Sequence, residues 1–219
     1  MLPVSTLMLY DLPMNAQIEK PYHHGDLREE ILCAACCLLE KNNIASLSLR
    51  AIAKEVGVSH TAPYRHFKDK ESLLAGIAGL GFDRLTEQLT AAVTSNPGDP
   101  VKQLIEAGQK YVSMAQQSPQ CTQLMFGGIL PCDDTYPELR ASGDSAFEGL
   151  LSIIIEGQAL GVFKPGDIKM MALTAWSGIH GLSMLIIGGN LEEILKIPVE
   201  PCAITNAVIN GMLEGLKAH

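Results

Sequence analysis

The sequence predicts an all-α protein. A three-helix head carrying a helix-turn-helix is followed by a larger helical bundle, about nine helices in total. Three observations predict this. Apolar residues recur at three- and four-residue steps along most of the chain, and no run alternates with the two-residue period of a strand. Residues 48–70, SLRAIAKEVGVSHTAPYRHFKDK, read as two short helices around a tight turn. The chain has 219 residues, 47% hydrophobic and 18% charged, which suffices for a sizeable core and excludes global disorder.

Residues 1–21 show no clean period and few caps, and read as a loosely ordered arm. A helix follows over 26–41, with Asp26 as its cap. Leu27, Ile31, Ala34, Ala35, Leu38 and Leu39 form its apolar stripe. Ala45 and Leu47 lead into the next helix, where Ser48 is a good N-cap and Leu49, Ile52, Ala53 and Val56 keep helical spacing. Gly57 ends it, because Gly accepts the left-handed backbone of a sharp exit. Val58 is an apolar plug between the helices. Ser59 is expected to cap the second helix, which carries Thr61, Tyr64, Arg65 and His66 and is anchored by Phe67. Pro63 lies only four residues past that cap, so it is expected to be tolerated and to stiffen the first turn.

Three helices of this size bury little by themselves, so the head should lean on the next helix. Asp69 can cap that helix, Glu71 suits its first turn, and Leu73, Leu74, Ile77, Leu80, Leu85 and Leu89 carry the stripe to about residue 93. SNPGDP (95–100) is a loop, followed by a helix over 101–117 and a short one around 121–126. After a loop over 127–137, helices are expected at 138–160 and 166–187, separated by GVFKPG. The last runs over 201–216, with Pro201 in its first turn. The divisions expected are the arm (1–21), the helix-turn-helix head (22–70) and the bundle (71–219).

Net charge is −8, a poor match to a protein whose whole surface binds nucleic acid. The charge is uneven. Residues 20–70 carry 8 basic and 6 acidic side chains, whereas residues 71–219 carry 8 and 16. A small DNA-facing head on an acidic body fits this asymmetry, and so does ordinary solvated surface charge. The six cysteines follow no recognisable leader, since Pro3 and Pro13 break the apolar start, so a reduced cytoplasmic protein with free thiols is expected. Cys33, Cys36 and Cys37 share a helix face, and small core residues explain them better than a metal, because no second Cys pair has ligand spacing and His23 and His24 lie too far away. Cys121 and Cys132 lie in or beside a loop and would be oxidant sensors if exposed. Residues 168–187 are apolar enough for a membrane span. Lys169, Thr174, His180 and several Gly within them favour a buried interface helix, so no membrane is expected.

A helix, a turn with Gly and a second helix rich in hydrogen-bonding side chains form the pattern of DNA readers. Ser59, His60, Thr61 and Ala62, all candidate DNA contacts, begin the second helix, the part that enters the major groove. Thr61 can bond a base or phosphate, and its methyl or Ala62 can touch a thymine methyl. Lys68 and Lys70 can reach phosphate, and Ser48 and Arg50 begin a helix whose free N–H groups can approach the backbone. No nucleophile–base pair, metal-ligand set or phosphate loop stands out, so an enzyme is not expected, nor any metal or cofactor.

YHHGDLREEIL and SLRAIAKEVGVSHTAPYRHFKDKESLLAGIA resemble the DNA-binding head of the tetracycline-repressor (TetR) family of bacterial transcription regulators, over about residues 22–80. The resemblance implies a homodimer on an operator of two-fold symmetry and a ligand-binding bundle that sets the spacing of two heads. Tyr64 and His66 resemble the family's Tyr-x-His-Phe signature, in which both contact phosphates. The rival reading packs Tyr64 on the first helix and makes His66 a turn cap; Phe67 is core under either. Trp176, His180 and Gly181 look like the Trp-His-Gly signature of one group of the family's C-terminal domains. Trp176 and His180 share one helix face. They read either as a pocket wall and polar anchor, or as part of an interface helix where Gly178 and Gly181 admit a partner helix. In related folds the last two helices form the dimer's four-helix bundle, which leaves Tyr111, Met114, Leu124, Met125, Phe126 and Phe147 as pocket walls. The expected function is a ligand-responsive repressor binding double-stranded operator DNA, with an unknown small-molecule effector. The alternative is a small-molecule-binding helical protein whose head is an interaction module without DNA affinity.

Overall fold

The computed structural model describes residues 27–131, 134–189, 191–198 and 200–217. The arm, Asp26, His23, His24 and Cys132 lie outside them. Every regular element among the described residues is helical. They are α1 (Leu27–Lys41), α2 (Leu49–Val56), a 3-10 turn (Pro63–Arg65), α3 (Lys70–Ser95), α4 (Pro100–Gln117), α5 (Pro119–Phe126), α6 (Pro137–Ala159), α7 (Ile168–Ile187), α8 (Leu191–Leu195) and α9 (Pro201–Leu216). The helices divide into two compact units. Among the described residues, one comprises 27–84 with 117–142, and the other 85–116 with 143–217.

The core of the first unit is built on the stripe of α1, from which Ile31, Leu32, Ala35, Cys36 and Leu39 are buried. Leu49 and Ile52 of α2, Phe67, Leu73 and Ile77 of α3, and Leu124 of α5 join the same cluster. The head does lean on α3, as three short helices require. It also leans on α5, which the sequence reading did not anticipate. Pro119 starts α5, and the Glu40 carboxylate of α1 closes its N-terminus by accepting from the N–H groups of Gln120 (3.1 Å) and Cys121 (2.8 Å). Such a carboxylate satisfies donors that a helix start leaves open and suits the positive end of its dipole. The Phe126 ring meets Phe82 edge-on, at 5.2 Å between centroids.

In the second unit α7 packs on α9, and a Cβ on Gly178 would overlap the Met212 sulfur. Gln103 ties α4 to α6, its side-chain amide donating to the Asn96 carbonyl and the Glu156 carboxylate, each at 2.9 Å. By length and composition α7 is apolar enough to cross a membrane, and it buries Met171, Ala172, Ala175, Ile179 and Leu182 within this unit. Most helix limits fall within two residues of the sequence reading. The exceptions are the second helix of the helix-turn-helix, reduced to the 3-10 turn Pro63–Arg65, and α8, for which the sequence shows no signal. Five residues are too few to show a period, and Leu191 alone secures this helix to the core.

Candidate nucleic-acid interface and effector site

The helix-turn-helix begins as its sequence dictates. Ser48 is extended, and its hydroxyl accepts the Ala51 N–H at 3.2 Å. Gly57 adopts φ 79°, and the N–H groups of Gly57 and Val58 both bond the Ala53 carbonyl. The second helix departs from expectation. Ala62 N–H bonds the Ser59 carbonyl, Arg65 N–H the Ala62 carbonyl and His66 N–H the Pro63 carbonyl, all three residues apart. The regular part is only the 3-10 turn Pro63–Arg65. The cause is Pro63. It has no N–H to give to Ser59, so the Ser59 carbonyl takes the nearer donor and the turn tightens. Ser59 therefore does not act as the expected side-chain cap, and its hydroxyl pairs with that of Thr61 at 3.2 Å.

Two buried anchors hold this turn, Pro63 and Phe67, and the Arg28 guanidinium lies 5.6 Å over the Phe67 ring. Between the anchors Tyr64 stands in solvent, 54% exposed, so it is not packed into the core. Ser48, Arg50, Ser59, His60, Thr61, His66 and Lys68 are also exposed, and Ala62 is half-buried. Lys70 is placed differently. Its ammonium donates to the Ala45 carbonyl at 3.0 Å and braces the approach to α2. Asp69 and Ser72 form a reciprocal cap on α3, and the Ser72 N–H holds the Asp69 carboxyl below its ordinary range. The head thus presents hydroxyl, phenol, imidazole and ammonium groups around one anchored turn, a donor set that phosphate oxygens accept.

The second unit gathers four of the expected pocket residues. The buried Tyr111 hydroxyl lies 2.8 Å from His180 Nδ1 and also bonds the Trp176 side chain. Trp176 meets His180 at 6.1 Å and Phe147 at 6.4 Å between ring centroids. Burial pushes the Tyr111 phenol well above its usual range and holds His180 below its own. With both rings neutral, either the phenol or an Nδ1–H tautomer of His180 supplies the proton between them. Met114 is buried on α4. Leu124, Met125 and Phe126 belong to the first unit, where Leu124 is part of the head's core, Met125 packs against it and Phe126 packs on Phe82. Among the described residues, Gln88, Gln103 and Ser118 each keep a buried side-chain oxygen without a hydrogen-bond partner.

Packing explains the buried cysteines. Cys36 and Cys121 are buried; burial pushes the Cys33 thiol up to about 11 and that of Cys121 to about 12. Cys121 is therefore not an exposed sensor beside a loop, because α5 carries it into the core. Among the described residues no group of three His, Cys, Asp or Glu is placed to hold a metal.

Residues 31–77 match the family model for bacterial regulatory proteins of the tetR family, and residues 104–205 match the tetracyclin repressor-like C-terminal domain. The chain is 31% identical over 104 residues to the nucleoid occlusion factor SlmA of Vibrio cholerae, covering 47% of this chain and 53% of that protein. It thus spans about half the length of that curated relative. It is 37% identical over 81 residues to the HTH-type transcriptional regulator AcrR of Shigella flexneri, covering 37% of this chain and 38% of that one. A solved structure of a protein of unknown function from Rhodococcus sp. RHA1 superposes with a TM-score of 0.79 at 34% identity, over 91% of this chain and all of that one.

Proposed function

Because the chain belongs to the TetR family of bacterial regulatory proteins, we propose that it is a ligand-responsive transcriptional repressor that binds a two-fold symmetric DNA operator as a homodimer. One observation carries this reading. A large aromatic, Tyr64, is held out in solvent on a turn that Pro63 and Phe67 anchor from beneath. A side chain of that size gains nothing for the fold when exposed. Tyr64, His66, Ser48, Arg50 and Lys68 then contact phosphates, and His60, Thr61 and Ala62 face base edges. Lys70 contributes by bracing the head.

The homodimer forms through α7 and α9. Met170, Leu173, Ser177 and Leu185 make an exposed stripe along α7, where a Cβ on Gly181 would meet nothing. Ala203, Ala207, Gly211 and Gly215 make an exposed stripe of small residues on α9. The effector binds at the Tyr111–His180 pair with Trp176 and Phe147. It works by favouring a bundle conformation whose two heads no longer match adjacent major grooves, which requires differential affinity for the two states. Gel-shift with the DNA upstream of the protein's own gene is the direct trial. A retarded band is expected; no binding at low salt by an intact dimer would sink the proposal.

The likeness to the Vibrio cholerae nucleoid occlusion factor favours a second reading, a DNA-bound factor of that kind. Transcript levels of neighbouring genes, with and without the protein, separate the two. Unchanged levels despite operator binding favour the second.

A further inference from the structure

α8 and the residues after it put Ile194, Leu195 and Ile197 into solvent, at 58%, 42% and 59% exposure. Three large apolar side chains within four positions mark an interaction surface. The α6–α7 connection offers the converse, a groove of about 570 Å³ lined by Ile155, Ala159, Phe163, Pro165 and Ile168. That volume is in the range of ligand-sized pockets, so it has room for more than one aliphatic side chain. The groove is already shaped. Gln158 donates from its side chain to the carbonyls of Lys164 (3.1 Å) and Gly166 (3.2 Å), and the Lys164 N–H bonds the Leu216 carbonyl at 2.9 Å. Phe163 forms its floor, seated on Gly157, where any Cβ would overlap the ring.

Groove and apolar arm lie at opposite ends of α7. The groove includes Ile168, and the arm follows Ile187 by a few residues. At about 1.5 Å per residue the two ends of this helix are roughly 30 Å apart. The exposed α7 stripe runs the length of the helix, so a two-fold axis crossing near Ser177 and Gly181 reverses it end for end. The arm of one subunit then lies beside the groove of the other. Charge agrees with this. The arm carries exposed Glu192 and Glu193 against a single Lys196, and the groove's rim carries exposed Lys164 and Lys169. Asp167, between those two lysines, is engaged in capping α7.

We propose that the α8 arm of each subunit docks into the α6–α7 groove of its partner, as a reciprocal exchange beyond the α7–α9 bundle. This rests on the dimer reading above. The test uses full-length chains with the exposed Cys202 replaced (Cys202→Ser). One copy carries Ile155→Cys and a differently tagged copy carries Ile197→Cys. Mild oxidation of the co-expressed pair should yield a covalent heterodimer on a non-reducing gel, and the Cys202→Ser parent none. A pair that sediments as a dimer but does not cross-link overturns the docking and leaves the dimer standing. A pair that sediments as a monomer overturns both. As a second measurement, Ile194→Asp with Ile197→Asp should raise the dimer dissociation constant at least tenfold while helical circular dichroism stays the same. An unchanged constant counts against the arm.

Discussion

Tyr64 is where the residue scale bears most on function. Its ring is over half exposed between two buried anchors, so its hydroxyl is available to a ligand and adds little to the fold. Tyr64→Phe should weaken operator binding about tenfold, the loss of one hydrogen bond to a charged group, at roughly 1.4 kcal/mol. The melting temperature should not move. Operator affinity equal to wild type, measured by titration, would show that the hydroxyl does not reach DNA. The capping residues were legible in the sequence because their partners are close by. Ser48 bonds Ala51, Asp69 bonds Ser72, and Gly57 takes the left-handed backbone that its position demands. Lys70 was not, because its acceptor, the Ala45 carbonyl, lies 25 positions away. The Ser59 cap fails because Pro63 has no N–H for the Ser59 carbonyl, so the Ala62 N–H turns to that carbonyl and the Ser59 hydroxyl pairs with Thr61. The carbonyls of Ser59, Ala62 and Pro63 take donors three residues on, while the Phe67 N–H still reaches the Pro63 carbonyl four residues back.

Among the elements, α5 joins the head through a contact that no spacing rule connects. Glu40 closes its N-terminus across 80 positions of sequence. Glu40→Ala leaves two part-buried N–H groups without their acceptor and should cost about 1–3 kcal/mol, read from the denaturant midpoint. The pH dependence has a definite sign. Burial raises the Glu40 carboxyl above its ordinary value, against the two N–H bonds that lower it. The folded state therefore holds this proton more tightly than the unfolded chain. The contribution to stability is full below the unfolded value and is lost as pH rises through the folded one. Glu40→Gln keeps an acceptor but has no charge to desolvate, so its stability should fall less between about pH 4 and 7. Identical slopes in wild type and Glu40→Gln would remove the argument. α8 shows the other limit of sequence reading, since a single buried anchor, Leu191, leaves no stripe to detect.

At the scale of the whole molecule, an acidic protein with net charge −8 must bind DNA through few cations. Five basic side chains, Lys41, Arg50, Lys54, Arg65 and Lys68, are exposed in the head, whereas Lys70 is occupied by a carbonyl. Operator affinity should therefore fall only shallowly with salt, as expected when fewer than about six phosphates are neutralised per half-site. A much steeper slope in a salt titration would place a broad basic patch somewhere that the head does not offer. The sequence by itself determined the all-helical class, the position of the helix-turn-helix, the residues around its turn and most helix limits. These follow from periodicity and from caps acting over three or four residues, which a linear reading captures. Only the tertiary structure decided that Cys121 and Leu124 are core, that Glu40 holds α5, that Tyr111 meets His180, and that an apolar arm and an apolar groove sit at opposite ends of α7. Each of these depends on which helix faces lie together in space, and such contacts between distant residues leave no period in the chain.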